Sequence, residues 1–447
     1  MRSPNRNAIR LSVIALALAA LARQPDAAAG PPVPAASASA SPASSRALTP
    51  PLESANTCVT CHAGLADPKL RAPTTEYSSS VHRDDRIGCV GCHKGDPRDP
   101  TAGAHRAAGF LPHPSHAEIA GVCGGCHSDA GFMRHINARL PVGQQALFNL
   151  SLHGKLSGAG DTMAPTCSVC HGRHEILPAA SPKAPVNRLN VAKLCAGCHA
   201  DPKHMAPYQI RTDQFAKWER SVHGEAFKKG NPLAPTCTGC HGAHSATPPE
   251  ASSVARACGR CHEEELALFE QSPHSKGFKK RGLAPCVACH SNHDVAPASS
   301  LHVGLTPDAT CTKCHSNDEK PLKAADELAG LLRGARDRAA AARAAVARAG
   351  DEGLHISGAP FALDQVATAE LKLRPVVHTL DPKRMAVAVA AVEQAAAAAE
   401  KLVTDAEQGR RIERRGYYAA LALAFLLFST LSLKAWQLEG RRRLGSP

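Results

Sequence analysis

Residues 221–224 read Ser-Val-His-Gly, and residues 237–244 read Cys-Thr-Gly-Cys-His-Gly-Ala-His. Outward from Cys237, Cys240 and His241, the same Cys-x-x-Cys-His spacing returns at Cys58, Cys61 and His62, at Cys89, Cys92 and His93, at Cys123, Cys126 and His127, and at Cys167, Cys170 and His171. It continues at Cys195, Cys198 and His199, at Cys258, Cys261 and His262, at Cys286, Cys289 and His290, and at Cys311, Cys314 and His315. These nine motifs, numbered one to nine in chain order, use all 18 cysteines of the 447 residues. In an exported chain many cysteines ordinarily mean a disulfide framework. Neither that nor a zinc ribbon needs histidine at the one position after every pair.

Attachment of c-type haem does need it. Two thiols at this spacing form thioethers with the two vinyl groups of one haem, and the next residue offers an imidazole to the iron. The sequence therefore predicts nine covalently attached haem c groups, held by the 18 cysteines and bound on one face by the nine motif histidines.

The motifs alternate. Odd ones follow a short helix-like lead, as at Val122, at 191–194 and at 254–257. Even ones follow Ser-x-His, at Ser80 and His82, Ser151 and His153, Ser221 and His223, and Ser272 and His274. Three even motifs carry a further histidine three residues on, at His174, His244 and His293. The pattern reads as tandem dihaem modules with one terminal haem. A histidine three residues beyond the motif histidine lies on the same side of the haem, so it serves a different haem. The Ser-x-His residues have the reach for the far face of their own haem or of its predecessor, and the sequence leaves both open. These seven histidines fall two short of nine. The candidates for the rest are His113 or His116, because motif two lacks the further histidine, and one of His378, His302, His135 and His204. His116 and His378 complete the candidate ligand set. Met133 and Met205 lie near motif histidines, but packing explains methionine more simply than ligation.

Residues 57–318, and above all the run from Cys198-His199-Ala200-Asp201 through Met205, Tyr208 and Ser221-Val222-His223-Gly224 to His244, resemble the multihaem c-type cytochromes of bacterial anaerobic respiration, the large class III-like group. The resemblance implies haems wrapped by short helices and loops with almost no sheet. The related nitrite reductases often mark their open haem with lysine in place of the motif histidine; all nine motifs here end in histidine.

Outside that region, residues 1–22 read as a signal peptide, with Arg2, Arg6 and Arg10 before a short apolar run. Residues 23–56, rich in Pro, Ala and Ser, read as a linker. Residues 319–413 are an Ala-rich helical spacer, with helices expected over 322–348, stopping at Gly350, over 362–379, and onward from Asp381-Pro382. Residues 414–437 hold an apolar run edged by Tyr417, Tyr418 and Trp436, read as a transmembrane helix, and 438–447 as a cytoplasmic tail. The expected fold is mostly α with extensive loops: a multihaem cytochrome wrapped around a haem chain, then a helical stalk and one C-terminal transmembrane helix. A signal peptide puts the haem domain in the periplasm.

Only 16 residues are aromatic (10 Phe, 4 Tyr, 2 Trp), a thin supply for a large core. Porphyrins would supply the missing flat apolar bodies. The formal net charge of +13 invites a nucleic-acid reading. Two propionates on each haem balance that excess, so nucleic acid drops out as a partner. The functional expectation is electron transfer rather than catalysis, between an inner-membrane quinol-oxidising or b-type cytochrome subunit and periplasmic redox proteins or a terminal reductase. The alternative is reduction of a nitrogen or sulfur oxyanion at one haem with an open coordination site. A third reading is direct quinol oxidation by this chain; the resembling family members that do this usually carry an N-terminal anchor, which is lost here if the signal peptide is cleaved.

Overall fold

A computed structural model describes residues 57–85, 87–107, 109–250, 253–299 and 302–444; the expected signal peptide and linker lie outside the described residues. Among the described residues every regular element is helical and no strand occurs. The mostly α expectation therefore stands.

Local chemistry explains the short helices of residues 57–318. Helices α1 (Gln144–Leu150) and α2 (Leu152–Gly158) meet at Ser151, and α3 (Gln214–Arg220) and α4 (Val222–Lys228) meet at Ser221. Each serine ends one helix and caps the next. Ser151 Oγ donates to the Phe148 carbonyl at 2.6 Å and accepts the Gly154 N–H at 3.0 Å. Ser221 Oγ does the same with Trp218 at 2.7 Å and Gly224 at 3.1 Å. A Cβ on Gly154 would lie 1.9 Å from the Phe148 carbonyl oxygen, and one on Gly224 2.1 Å from that of Trp218. Ser-x-His-Gly is thus a corner that places its histidine on the first turn of a helix.

This region has almost no core of its own. Its buried apolar residues, among those described, are Ala104, Met133, Ala164, Ala184, Val191, Ala192, Met205, Ala234 and Ala309. Six are alanine and none is Leu, Ile, Phe or Trp. Chain alone does not fill the interior.

The remainder is built conventionally. After α5 (Glu263–Glu270), helices α6 (Glu319–Asp351), α7 (Ala359–Val376) and α8 (Pro382–Leu444) form a three-helix bundle. Its core joins Leu328, Ala335, Ala339 and Ala342 of α6 with Ala362, Val366 and Leu373 of α7 and Met385, Val389, Val392, Ala396 and Ala399 of α8. Alanine at so many contacts lets the helices approach closely. Arg338 pairs in a fork with Glu400, Arg343 pairs with Glu370, and Arg410 reaches Glu352 at 3.2 Å. The first helix does not stop at Gly350. It runs on to Asp351 and is closed at Gly353, whose φ of 73° suits glycine, with Leu354 N–H bonded to the Ala349 carbonyl at 2.9 Å and Gly353 N–H to that of Gly350 at 2.9 Å. Asp381 caps α8 through a 2.9 Å bond from Lys383 N–H. Arg384 at the start of α8 bonds Gln271, just past α5, at 2.9 Å, and Val303 packs against the bundle core. The helical stalk expected here is a packed three-helix bundle seated on the motif-bearing region.

Helix α8 continues beyond the bundle as a single rod. Its window of mean hydropathy 1.7 has no part buried, and it is long and apolar enough to cross a membrane.

Ala396 is fully enclosed. Ala396→Leu overpacks the bundle, at a cost of about 1–3 kcal/mol. A lower urea midpoint by circular dichroism in detergent, with an unchanged haem spectrum, is the expected result.

Candidate haem-binding sites

The two kinds of motif differ in how their helices end. In motifs two, four, six and eight a short helix carries the histidine, and the next residue has positive φ: Lys94 at 60°, Gly172 at 89°, Gly242 at 79° and Ser291 at 66°. That turn throws the chain away from its own motif. After motifs three and five the cap residues Ser128 and Ala200 stay in the right-handed region.

Every motif histidine faces a second histidine. The ring centroids of His62 and His105 are 5.8 Å apart, His93 and His174 6.1 Å, His127 and His82 6.1 Å, His171 and His244 6.0 Å, and His199 and His153 6.0 Å. His241 and His293 are 6.0 Å apart, His262 and His223 6.3 Å, His290 and His378 6.0 Å, and His315 and His274 5.9 Å. Imidazoles on opposite faces of one metal stand about 6 Å apart, since each metal–nitrogen bond is about 2 Å and each nitrogen about 1 Å from its ring centre. Among the described residues no three or more His, Cys, Asp or Glu side chains converge as a metal site. Each pair would offer two imidazoles to one metal position, whose remaining bonds would come from a group that is not protein. A haem tethered by the two adjacent cysteines meets that demand, and the core-poor interior accommodates it.

The pairing follows one rule with two exceptions at its ends. Each Ser-x-His histidine faces the following odd motif: His82 lies against motif three, His153 five, His223 seven and His274 nine. Neither its own haem nor the predecessor's, the two options that sequence offered, is the partner. Each further histidine reaches back to the preceding even motif: His174 to two, His244 to four and His293 to six. Motif one has no Ser-x-His ahead of it and pairs with His105. Motif eight has no later even motif, and His378, in the turn between α7 and α8, pairs with it.

His116 corrects the sequence reading. Its Nε2, the nitrogen a ligand would need, bonds the Ala164 carbonyl at 2.7 Å. In the next repeat Arg188 makes the equivalent contact, at 2.8 Å to the carbonyl of Ala234. His116 is thus a strut under the lead of motif four. His113, its alternative, belongs to none of the nine pairs, nor do His135, His204 and His302, the alternatives to His378, nor the buried Met133 and Met205. Sequence reasoning missed His105 altogether. The signal that points to it is that motif two lacks its further histidine while the loop behind it carries one at 105.

Ring tautomers are held locally. His62 Nδ1 bonds the Leu70 carbonyl at 3.1 Å, His93 that of Leu111 at 2.8 Å and His378 that of Pro375 at 3.0 Å, which leaves Nε2 as the unengaged ring nitrogen of that contact. Burial pushes His82, His127, His153, His171, His199 and His223 below the usual imidazole range. Their neutral form is the one that binds metal.

The sites lie in sequence order. Cys123 touches Cys167, Cys195 touches Cys237 and Cys258 touches Cys286, which joins motifs three with four, five with six and seven with eight. Cys92 neighbours Cys126, Cys170 neighbours Cys195, Cys240 neighbours Cys258, Cys289 neighbours Cys311, and Cys58 neighbours Cys89. One row runs from motif one to motif nine.

No family model matches the chain, and no solved structure matches it. A stretch of 123 residues, 26% of the chain, is 31% identical to a C-type polyheme cytochrome OmcC of Geobacter sulfurreducens. Part of this chain is similar to a polyhaem c-type cytochrome. The chain spans only 14% of that relative's length.

The geometry separates His105, which the sequence reading left out, from His116, which it chose. His105→Ala leaves motif one with one imidazole, so one haem is expected to turn high-spin by electron paramagnetic resonance. His116→Ala leaves all positions low-spin.

Proposed function

We propose that this chain is an exported, membrane-anchored nonahaem c-type cytochrome that carries electrons, with an inner-membrane quinol-oxidising or b-type cytochrome subunit as donor and periplasmic redox proteins or a terminal reductase as acceptors, as in anaerobic respiration. The observation that carries the reading is the second imidazole opposite each motif histidine. Haem c at these positions supplies reversible one-electron chemistry. The chain's own residues would hold it: the paired cysteines of each motif would tether it, the facing histidines would supply its imidazoles, and the motif order makes each position the neighbour of the next.

The same observation counts against the oxyanion-reductase alternative, because that chemistry needs a metal position open to substrate. The rod of α8 supports the anchor. Between Pro382 and Tyr417 it extends roughly 50 Å, at 1.5 Å per residue. His378 therefore stands about that far along the stalk from the apolar segment, which favours delivery by a separate subunit over direct quinol oxidation at motif eight. Arg411, Arg414 and Arg415 precede the apolar run, and Tyr417 and Tyr418 at its edge are exposed, as an interfacial belt requires.

Purified full-length protein should carry nine haems by intact mass and show only low-spin ferric signals. The reduced protein should leave carbon monoxide unbound. A high-spin ferric component, or carbon monoxide or nitrite binding at one haem, would sink the carrier reading and favour the reductase.

A further inference from the structure

The second ring nitrogen of a ligand histidine is where a protein tunes the first. Where that contact is defined, four of the eighteen paired rings meet backbone carbonyls: His62 with Leu70 at 3.1 Å, His93 with Leu111 at 2.8 Å, His241 with Thr247 at 3.4 Å and His378 with Pro375 at 3.0 Å. Two meet carboxylates instead. His174 Nδ1 lies 3.3 Å from Glu76 Oε2, and His315 Nδ1 lies 3.3 Å from Asp318 Oδ2. By the pairing above, the first belongs to motif two and the second to motif nine. A third carboxylate, Glu265, stands 3.9 Å from His262 Nδ1, beyond hydrogen-bond reach.

Asp318 is placed for this contact at the expense of another. It precedes α6 at the capping position, yet its side chain makes no bond to the helix. Its carboxylate turns to His315. Glu76 reaches His174 from the end of the helix Pro68–Tyr77, which stands ahead of motif two, while His174 follows motif four. The backbone bond from Val81 N–H to the Ile176 carbonyl at 2.8 Å ties these segments together.

An anionic acceptor draws the Nδ1 proton more strongly than a neutral carbonyl does. The opposite nitrogen becomes a better donor, which favours the more highly charged state of the metal it binds and lowers the potential. Resting on the haem reading above, we propose that Glu76 and Asp318 are tuning residues that hold the motif-two and motif-nine positions at lower potential than motifs one, six and eight. An electron between them then meets an uphill step toward either end, so the middle of the row stores charge as well as conducting it.

Glu76→Gln, Asp318→Asn and, as a control, Glu265→Gln are made in the full-length haem-loaded protein. Haem count, electron paramagnetic resonance and a spectroelectrochemical titration are recorded for each. Glu76 and Asp318 side chains are 48% and 68% exposed, so these near-isosteric changes remove no packing. The expected result is an unchanged haem count and low-spin spectrum, with one haem's share of the titration moved to higher potential in Glu76→Gln and in Asp318→Asn, and none moved in Glu265→Gln. Unchanged titrations in the first two, or an equal shift in the control, overturn the proposal and leave the haem reading standing. Fewer than nine haems in the parent protein overturn the reading itself.

Discussion

Two imidazoles must face each other across a gap of about 6 Å, and the chain immediately after a Cys-x-x-Cys-His motif cannot supply the second. That constraint shapes the rest of residues 57–318. The second ring has to come from elsewhere in the sequence, so each module borrows from its neighbours. His174, His244 and His293 reach back across one motif, and the Ser-x-His residues reach forward past one. The positive-φ turns after the even motifs are the device that sends the chain outward. Glycine meets that need at Gly172 and Gly242, whereas Lys94 and Ser291 accept it as ordinary residues.

Borrowed histidines leave two loose ends, and the molecule resolves them differently. At the front, a loop behind motif two brings His105 to His62. At the back, the ligand comes from outside the motif region, where the turn at 377–379 puts His378 against His290. The bundle is thereby part of the motif-eight site as well as a stalk. Its Ala-lined core, formed by α6, α7 and α8, is closed by protein alone, whereas the motif region buries little but alanine. The two halves are stabilised by different means. One relies on close helix packing; on the haem reading, the other would rely on flat groups between paired histidines.

Much of this was legible in residue spacing, because covalent attachment needs two thiols and an imidazole at fixed separations along the chain. The alternation of motif types was legible for the same reason, and so were the helices of the spacer, which rest on local propensity and on the Asp381-Pro382 start. The end of α6 at Gly353 rather than Gly350 was not, since either glycine satisfies a local rule and only the packing of Leu354 against Ala349 and Val403 selects one. His116 against His105 is the sharper case. Both lie in the stretch between motifs two and three, and the missing histidine of motif two points to that stretch without saying which of its histidines faces a motif.

By itself, then, the sequence determined the number and kind of attachment motifs, their grouping into repeats and the helical character of the segment after motif nine, all of which depend on residues close together along the chain. Which histidine faces which motif, that Ser-x-His serves the next odd motif, and that a stalk residue completes motif eight were decided only in three dimensions. Each is a contact between residues tens of positions apart, and its partner is set by how short helices turn at Ser151, Ser221, Gly172 and Gly242 rather than by any pattern the chain carries locally.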